Sequence, residues 1–117
     1  MAWFAVHVVM RVAFAEGPPE PIAVWENCVL IEAENHDGAR AAGARIGALE
    51  AGASRAKMTW QGRPARWEYV GVRKVQIIDA DRFQDGLEIS HMEYEVATES
   101  DLLNLASGVA VNLTYIE

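Results

Sequence analysis

Even-numbered positions from Phe4 through Val6, Val8, Met10 and Val12 to Phe14 are all apolar, while the odd ones mix Trp3, His7 and Arg11 with small or aliphatic side chains. A two-residue period predicts a β-strand that buries one face. Residues 16–21, Glu-Gly-Pro-Pro-Glu-Pro, place three prolines in four positions and predict a turn or loop, because proline cannot donate to a ladder. Residues 24–34 form the second expected strand. Its two faces both carry apolar residues, Cys28 and Leu30 on one and Val29 and Ile31 on the other, which predicts a central position covered on both sides. The short loop between the two strands predicts antiparallel pairing.

After Asp37 the period changes. Ala39, Ala42, Ile46, Leu49 and Ala53 follow helical spacing and form the expected core stripe of a helix reaching about residue 54, with Asp37 as its N-cap and Asn35 as the alternative. The opposite face carries Ala41, Ala44, Ala48 and Ala51, where a solvated helix would show Lys and Glu. Helix propensity alone accounts for such alanines; the other reading is a second packing surface for a partner subunit or the C-terminal segment. Ala39, Gly43 and Gly47 recur every four residues and permit close backbone approach.

Further along, residues 58–61 read as a short strand turning at Gly62-Arg-Pro64. Residues 66–79 read as a strand of strong β propensity, with a bulge or close approach at Gly71. A polar loop over 79–86 ends in Asp-Gly, and a strand over 88–97 follows. Thr98 is positioned to cap a short helix through Ala106 that Gly108 closes, and residues 109–116 alternate as a last strand. Consecutive strands dominate. The expected class is therefore α+β: a mainly antiparallel sheet of five to six strands, one long helix packed on one face and a short second helix near the C-terminus, all in a single domain over residues 1–117.

Charge narrows the function. Seventeen acidic against ten basic residues leave a net charge of −7, and an acidic chain without a basic cluster is a poor nucleic-acid binder, since Lys and Arg contacts to phosphate carry most of that affinity. The apolar start, ending Ala13-Phe-Ala15, imitates a secretory signal. The period of two, the interruptions at His7 and Arg11 and the lack of a preceding Lys or Arg favour a strand, and the stretch is too short to span a membrane. Cys28 is the one cysteine; it excludes an internal disulfide, is expected to be a buried inert thiol, and suits a reducing cytoplasm.

The search for chemistry yields little. Gly38, Gly43 and Gly47 do not make a dinucleotide fingerprint, because two of them lie deep inside the helix, and no phosphate-loop Gly-Lys-Ser/Thr occurs. Residues 79–86 lack the fifth-position acid and sixth-position glycine of a calcium loop. His91 and Glu93 share a strand side but are only two ligands, so no metal and no cofactor is expected. Ser90 and His91 are adjacent and point to opposite faces, which removes them as a nucleophile–base pair. His7 is expected at the surface or an interface. No catalytic residue is assigned. The one pocket proposed joins Trp25, Glu26, Trp67 and Glu68: two strand-starting indoles, each followed by a carboxylate, suited to a cation or amine if the strand ends meet. The plainer reading has both tryptophans sealing the core.

The Trp25-Glu-Asn-Cys-Val-Leu-Ile-Glu-Ala-Glu34 stretch, the alanine-rich helix, the Arg66-Trp-Glu-Tyr-Val-Gly-Val72 stretch and Asp85-Gly-Leu-Glu-Ile-Ser90 together resemble the bacterial family of domain of unknown function 4288, over about residues 3–92. The tail from Glu93 is additional, and the helix lacks the family's Glu- and Lys-rich outer face. The family has no established activity, so the resemblance implies an architecture and no chemistry. The leading expectation is a non-enzymatic cytoplasmic interaction or binding module that self-associates as a homo-oligomer, with a separate protein partner as a further expectation and no nucleic-acid or membrane partner. The alternatives are a small-ligand binder or minor enzyme using the Trp/Glu pocket, and an acidic immunity- or antitoxin-like protein.

Overall fold

A computed structural model describes residues 1–17, 21–53 and 58–116. The class is α+β: six strands, mostly antiparallel, a long helix on the sheet and a short C-terminal helix. The elements are β1 (Ala2–Phe14), β2 (Val24–Ala33), α1 (His36–Ala53), β3 (Met58–Trp60), β4 (Arg63–Ile78), β5 (Tyr94–Glu95), α2 (Glu99–Ala106) and β6 (Thr114–Tyr115). The proline loop at 18–20 and the expected helix end at 54 lie outside the described residues. Among the described residues no helix is long and apolar enough to cross a membrane.

The main sheet has the order β2-β1-β4-β3, every pair antiparallel. The alternation in β1 does what its period predicts. Phe4, Val6, Val8 and Met10 are buried and form the core with Ile31, Ala33 and Ala39 of α1. Each large side chain so covered contributes about 1.5–3 kcal/mol. The expected central position of β2 is not observed. It is an edge strand with Val24, Trp25 and Leu30 exposed, and β1 takes the centre instead. Apolar residues on both faces therefore do not mark a doubly covered strand here.

Helix α1 is capped by Asn35, whose Oδ1 accepts the Gly38 N–H at 2.8 Å, while Asp37 sits in the first turn. Its buried residues are Ala39, Gly43 and Gly47. Of the expected stripe Ala39 is buried and Ala42 and Ile46 pack against the core, but beyond them the inner face rotates away, leaving Ala53 exposed and Leu49 73% exposed. The glycines cause the rotation. A Cβ at Gly43 would lie 2.5 Å from Val6 Cγ1, and one at Gly47 would lie 2.5 Å from the Tyr69 ring and 2.9 Å from Val8 Cγ1. The helix backbone rests directly on the sheet, so close packing, rather than side-chain hydrophobicity, selects the inner face.

Gln61 and Gly62, both at positive φ, make the β3–β4 turn, so Arg63 and Pro64 belong to β4 rather than to the turn. β4 has two register irregularities against β1, between His7 and Val8 and between Val9 and Met10, and Gly71 lies between them. Beyond the Arg63–Ala65 stretch that β3 covers, the outer edge of β4 has no strand beside it among the described residues.

The C-terminal third differs most from expectation. The strands expected over 88–97 and 109–116 shrink to the two-residue β5 and β6, which pair only with each other, Tyr94 opposite Tyr115. Thr98 caps α2 as its sequence predicts, accepting the Asp101 N–H at 3.1 Å, yet none of the helix residues is buried. The radius of gyration is 16.9 Å, against about 13 Å for a compact chain of this length.

Candidate functional site

The helix-free face of the sheet gathers polar side chains from four segments. His7 on β1 stands opposite Cys28 on β2, and Glu26, two residues from Cys28 along β2, projects on the same face. The register shift after His7 pairs His7 with Lys74 and Val8 with Val72, leaving Arg73 as the extra residue of a bulge. A bulge re-aims side chains, and both Arg73 and Lys74 reach this face. The 79–93 segment crosses above them. Trp3 and Phe83 pack edge to face at 5.5 Å and hold its start, and Ser90 and His91 come down onto Gln76.

His7 is 6% exposed and bonded on both nitrogens: Nδ1 lies 2.9 Å from Glu26 Oε2 and Nε2 lies 2.6 Å from Ser90 Oγ. Arg73 grips Glu26 with two parallel bonds, Nε to Oε1 and Nη2 to Oε2, each 2.8 Å. This guanidinium, aided by His7 and opposed by partial burial, holds the Glu26 carboxyl below the usual value of 4.5. An ionised Glu26 only accepts, so His7 Nδ1 carries a proton. In the neutral ring Nε2 is then an acceptor for the single Ser90 hydroxyl proton at 2.6 Å, with Gln76 Oε1 at 3.2 Å the more distant competing acceptor. Around this core Gln76 Oε1 accepts from the His91 N–H at 3.2 Å, Lys74 Nζ donates to the His91 carbonyl, and His91 Nε2 lies 3.2 Å from Glu93. Cys28 Sγ is 3.8 Å from His7 Nε2. The residue is exposed rather than buried as expected, and partial burial of its thiol, with the Glu26 charge, pushes the thiol up from its ordinary value. Beside the cluster an apolar cleft of about 270 Å³ opens between the sheet and residues 83–89, bounded by Ala5, Cys28, Leu30, Ile78, Phe83 and Ile89.

The four residues singled out from the sequence are divided by the sheet. Trp25 and Trp67 meet, ring centroids 5.7 Å apart, and Trp60 completes an edge-to-face trio at 6.2 and 5.9 Å. Trp25 Nε1 donates to Asn27 Oδ1 at 2.5 Å. A cleft of about 200 Å³ adjoins them, lined by Met10, Trp25, Asn27, Glu50 and Trp67. Glu26 and Glu68 each follow a tryptophan by one residue, so the pleat turns them away. Glu26 goes to His7 and Arg73, and Glu68 faces Arg11 and Arg66 at 4.0 and 3.8 Å. The carboxylate at the indole cleft is Glu50 of α1. A wider groove of about 640 Å³ lies between the last turns of α1 and residues 66–69.

Sequence reasoning found no convergent reactive set, yet His7, Glu26, Arg73 and Ser90 form one. Two signals pointed toward it: a lone histidine within an otherwise apolar strand centre, and the presence of Glu26 and Ser90 in stretches that carry the family resemblance. Trp60 was missed because it lies in a three-residue strand. Among the described residues no group of three or more His, Cys, Asp or Glu side chains is placed to hold a metal ion. No curated protein and no solved structure matches the chain. The family model described as domain of unknown function (DUF4288) matches residues 3–90, which takes in the sheet, α1 and the segment ending at Ser90 and leaves β5, α2 and β6 outside. The chain belongs to the DUF4288 family.

Proposed function

We propose that the protein is a self-associating interaction module whose C-terminal segment docks on a second copy of the chain. The observation that carries the reading is the uncovered apolar surface of that segment. Leu102, Leu103, Val109, Tyr115 and Ile116 are all exposed, Leu103 at 65%, and no residue of α2 is fully buried. An eight-residue helix is too short to persist in water on propensity alone, so a packing surface is required to hold it. Charge favours a homotypic partner. Residues 93–117 hold five acidic residues and no Lys, Arg or His, whereas all ten basic residues lie between Arg11 and Arg82. An acidic, leucine-bearing arm thus has basic side chains to meet on the body of another copy, where twelve acidic and ten basic residues nearly balance. The lone thiol fits a reducing compartment, and the reading places the module in the cytoplasm.

The test uses the full chain with Leu102→Ser and Leu103→Ser combined. Sedimentation velocity is expected to show a multiple of the 12.9 kDa chain mass for the wild type and a shift to 12.9 kDa for the double variant. A wild type that sediments at 12.9 kDa up to its solubility limit, or a variant that associates as strongly as the wild type, overturns the proposal. A second reading, small-ligand binding, is favoured by the indole trio and Glu50, an arrangement suited to an organic cation. Thermal-shift titration with primary and quaternary amines addresses it, with Glu50→Gln expected to abolish any stabilisation.

A further inference from the structure

We propose that Ser90, His7 and Glu26 form a nucleophile–base–carboxylate triad that hydrolyses small esters with an apolar acyl group. The geometry is that of an activated hydroxyl. Ser90 Oγ lies 2.6 Å from the accepting nitrogen of an imidazole whose other nitrogen donates to a carboxylate at 2.9 Å. Three chain segments supply the set: the centre of β1, the start of β2 and the crossing segment above the sheet. The carboxylate is fixed from behind by the paired Arg73 bonds, and it holds the imidazole in the one tautomer that can take a proton from Ser90.

The substrate class follows from the adjoining cleft. Ala5 is two residues from His7 on the same face of β1, Cys28 is the cross-strand partner of His7, and Ile89 precedes Ser90. The apolar hollow of about 270 Å³ therefore begins where the triad ends and suits an acyl chain. Ser90 Oγ adds to the ester carbonyl carbon while its proton passes to His7 Nε2. The bond from that carbon to the alkoxy oxygen breaks, and the alcohol leaves with the same proton. Water, deprotonated by His7, then hydrolyses the acyl-serine, releasing the carboxylic acid and restoring the hydroxyl. Cys28 is the competing nucleophile, but its sulfur is 3.8 Å from the same nitrogen and its thiol is pushed up, away from the thiolate. The His91 N–H, next to Ser90, is bonded to Gln76 Oε1, so a developing oxyanion has to displace that bond. Slow turnover is expected, with base catalysis supplying about 10²–10⁴-fold.

A fluorophosphonate probe on the folded full-length protein, with the modified peptide mapped by mass spectrometry, tests this independently of oligomeric state. An adduct at Ser90 is expected in the wild type and in Cys28→Ala, and its formation is expected to be lost in urea. Hydrolysis of p-nitrophenyl butyrate is expected to fall by about 10²-fold or more in Ser90→Ala. A folded wild type without an adduct at Ser90, modification at Cys28 in its place, or labelling that proceeds equally in the unfolded chain overturns the proposal.

Discussion

Glu26 is the residue on which the polar face turns, because it holds His7 with one oxygen and Arg73 with both. Its folded value is lowered chiefly by Arg73. A lowered carboxyl contributes stability that is fully present above its ordinary value of 4.5 and is lost as pH falls through the folded value. Glu26→Gln is therefore expected to flatten the dependence of the thermal midpoint on pH across that acid window while lowering the midpoint at neutral pH. A variant whose midpoint falls on acidification as steeply as that of the wild type contradicts the role given to this carboxylate. At this scale the sequence was least informative. A Trp-Glu dipeptide says that the two side chains part company across the pleat, but it does not say what the glutamate meets. The partner is His7, nineteen residues away through β1–β2 register, and then Ser90, eighty-three residues from His7, through a segment with no regular structure. No local period encodes either contact.

Elements were easier to foresee than their surroundings. β1 announced itself by an unbroken alternation, and α1 by its switch to helical spacing. The inner face of α1 matches its apolar stripe through Ala39, Ala42 and Ile46 but not at Leu49: Leu49 is the greasier residue, yet Gly43 and Gly47 are what let the backbone descend onto Val6, Val8 and Tyr69. That account makes a paired prediction. Gly43→Ala is expected to lower stability by about 1–3 kcal/mol, because the added methyl meets a Val6 side chain with no exposed surface through which to yield. Gly52→Ala, near the end of the same helix with nothing within 4 Å of the new carbon, is expected to be neutral or mildly stabilising. Urea midpoints of the two variants check this, and equal losses at both sites would remove close packing as the reason for the helix's orientation. The position of β2 was illegible for a related reason. Its apolar residues serve one face in the core and another at the rim of the 270 Å³ cleft, and periodicity alone does not distinguish a cleft wall from a buried layer.

For the molecule as a whole, two features depart from a self-contained domain: a β4 edge with no strand beside it beyond Ala65 among the described residues, and an acidic C-terminal segment that leaves Leu102 and Leu103 exposed. Edges of that length are normally blunted or paired, and a contact made here is Arg40 Nη1 donating to the Val72 carbonyl at 2.8 Å. Within the family-matched body α1 packs on the sheet, whereas no residue of α2 beyond it is buried, and the proposed second copy would supply the surface that meets it. Amide hydrogen exchange of α2 as a function of protein concentration tests this most directly. Residues Glu99–Ala106 are expected to gain protection as concentration rises, while the amides of β1 keep theirs throughout. Exchange of α2 at the rate of an unprotected chain, up to the highest concentration reached, would contradict the account.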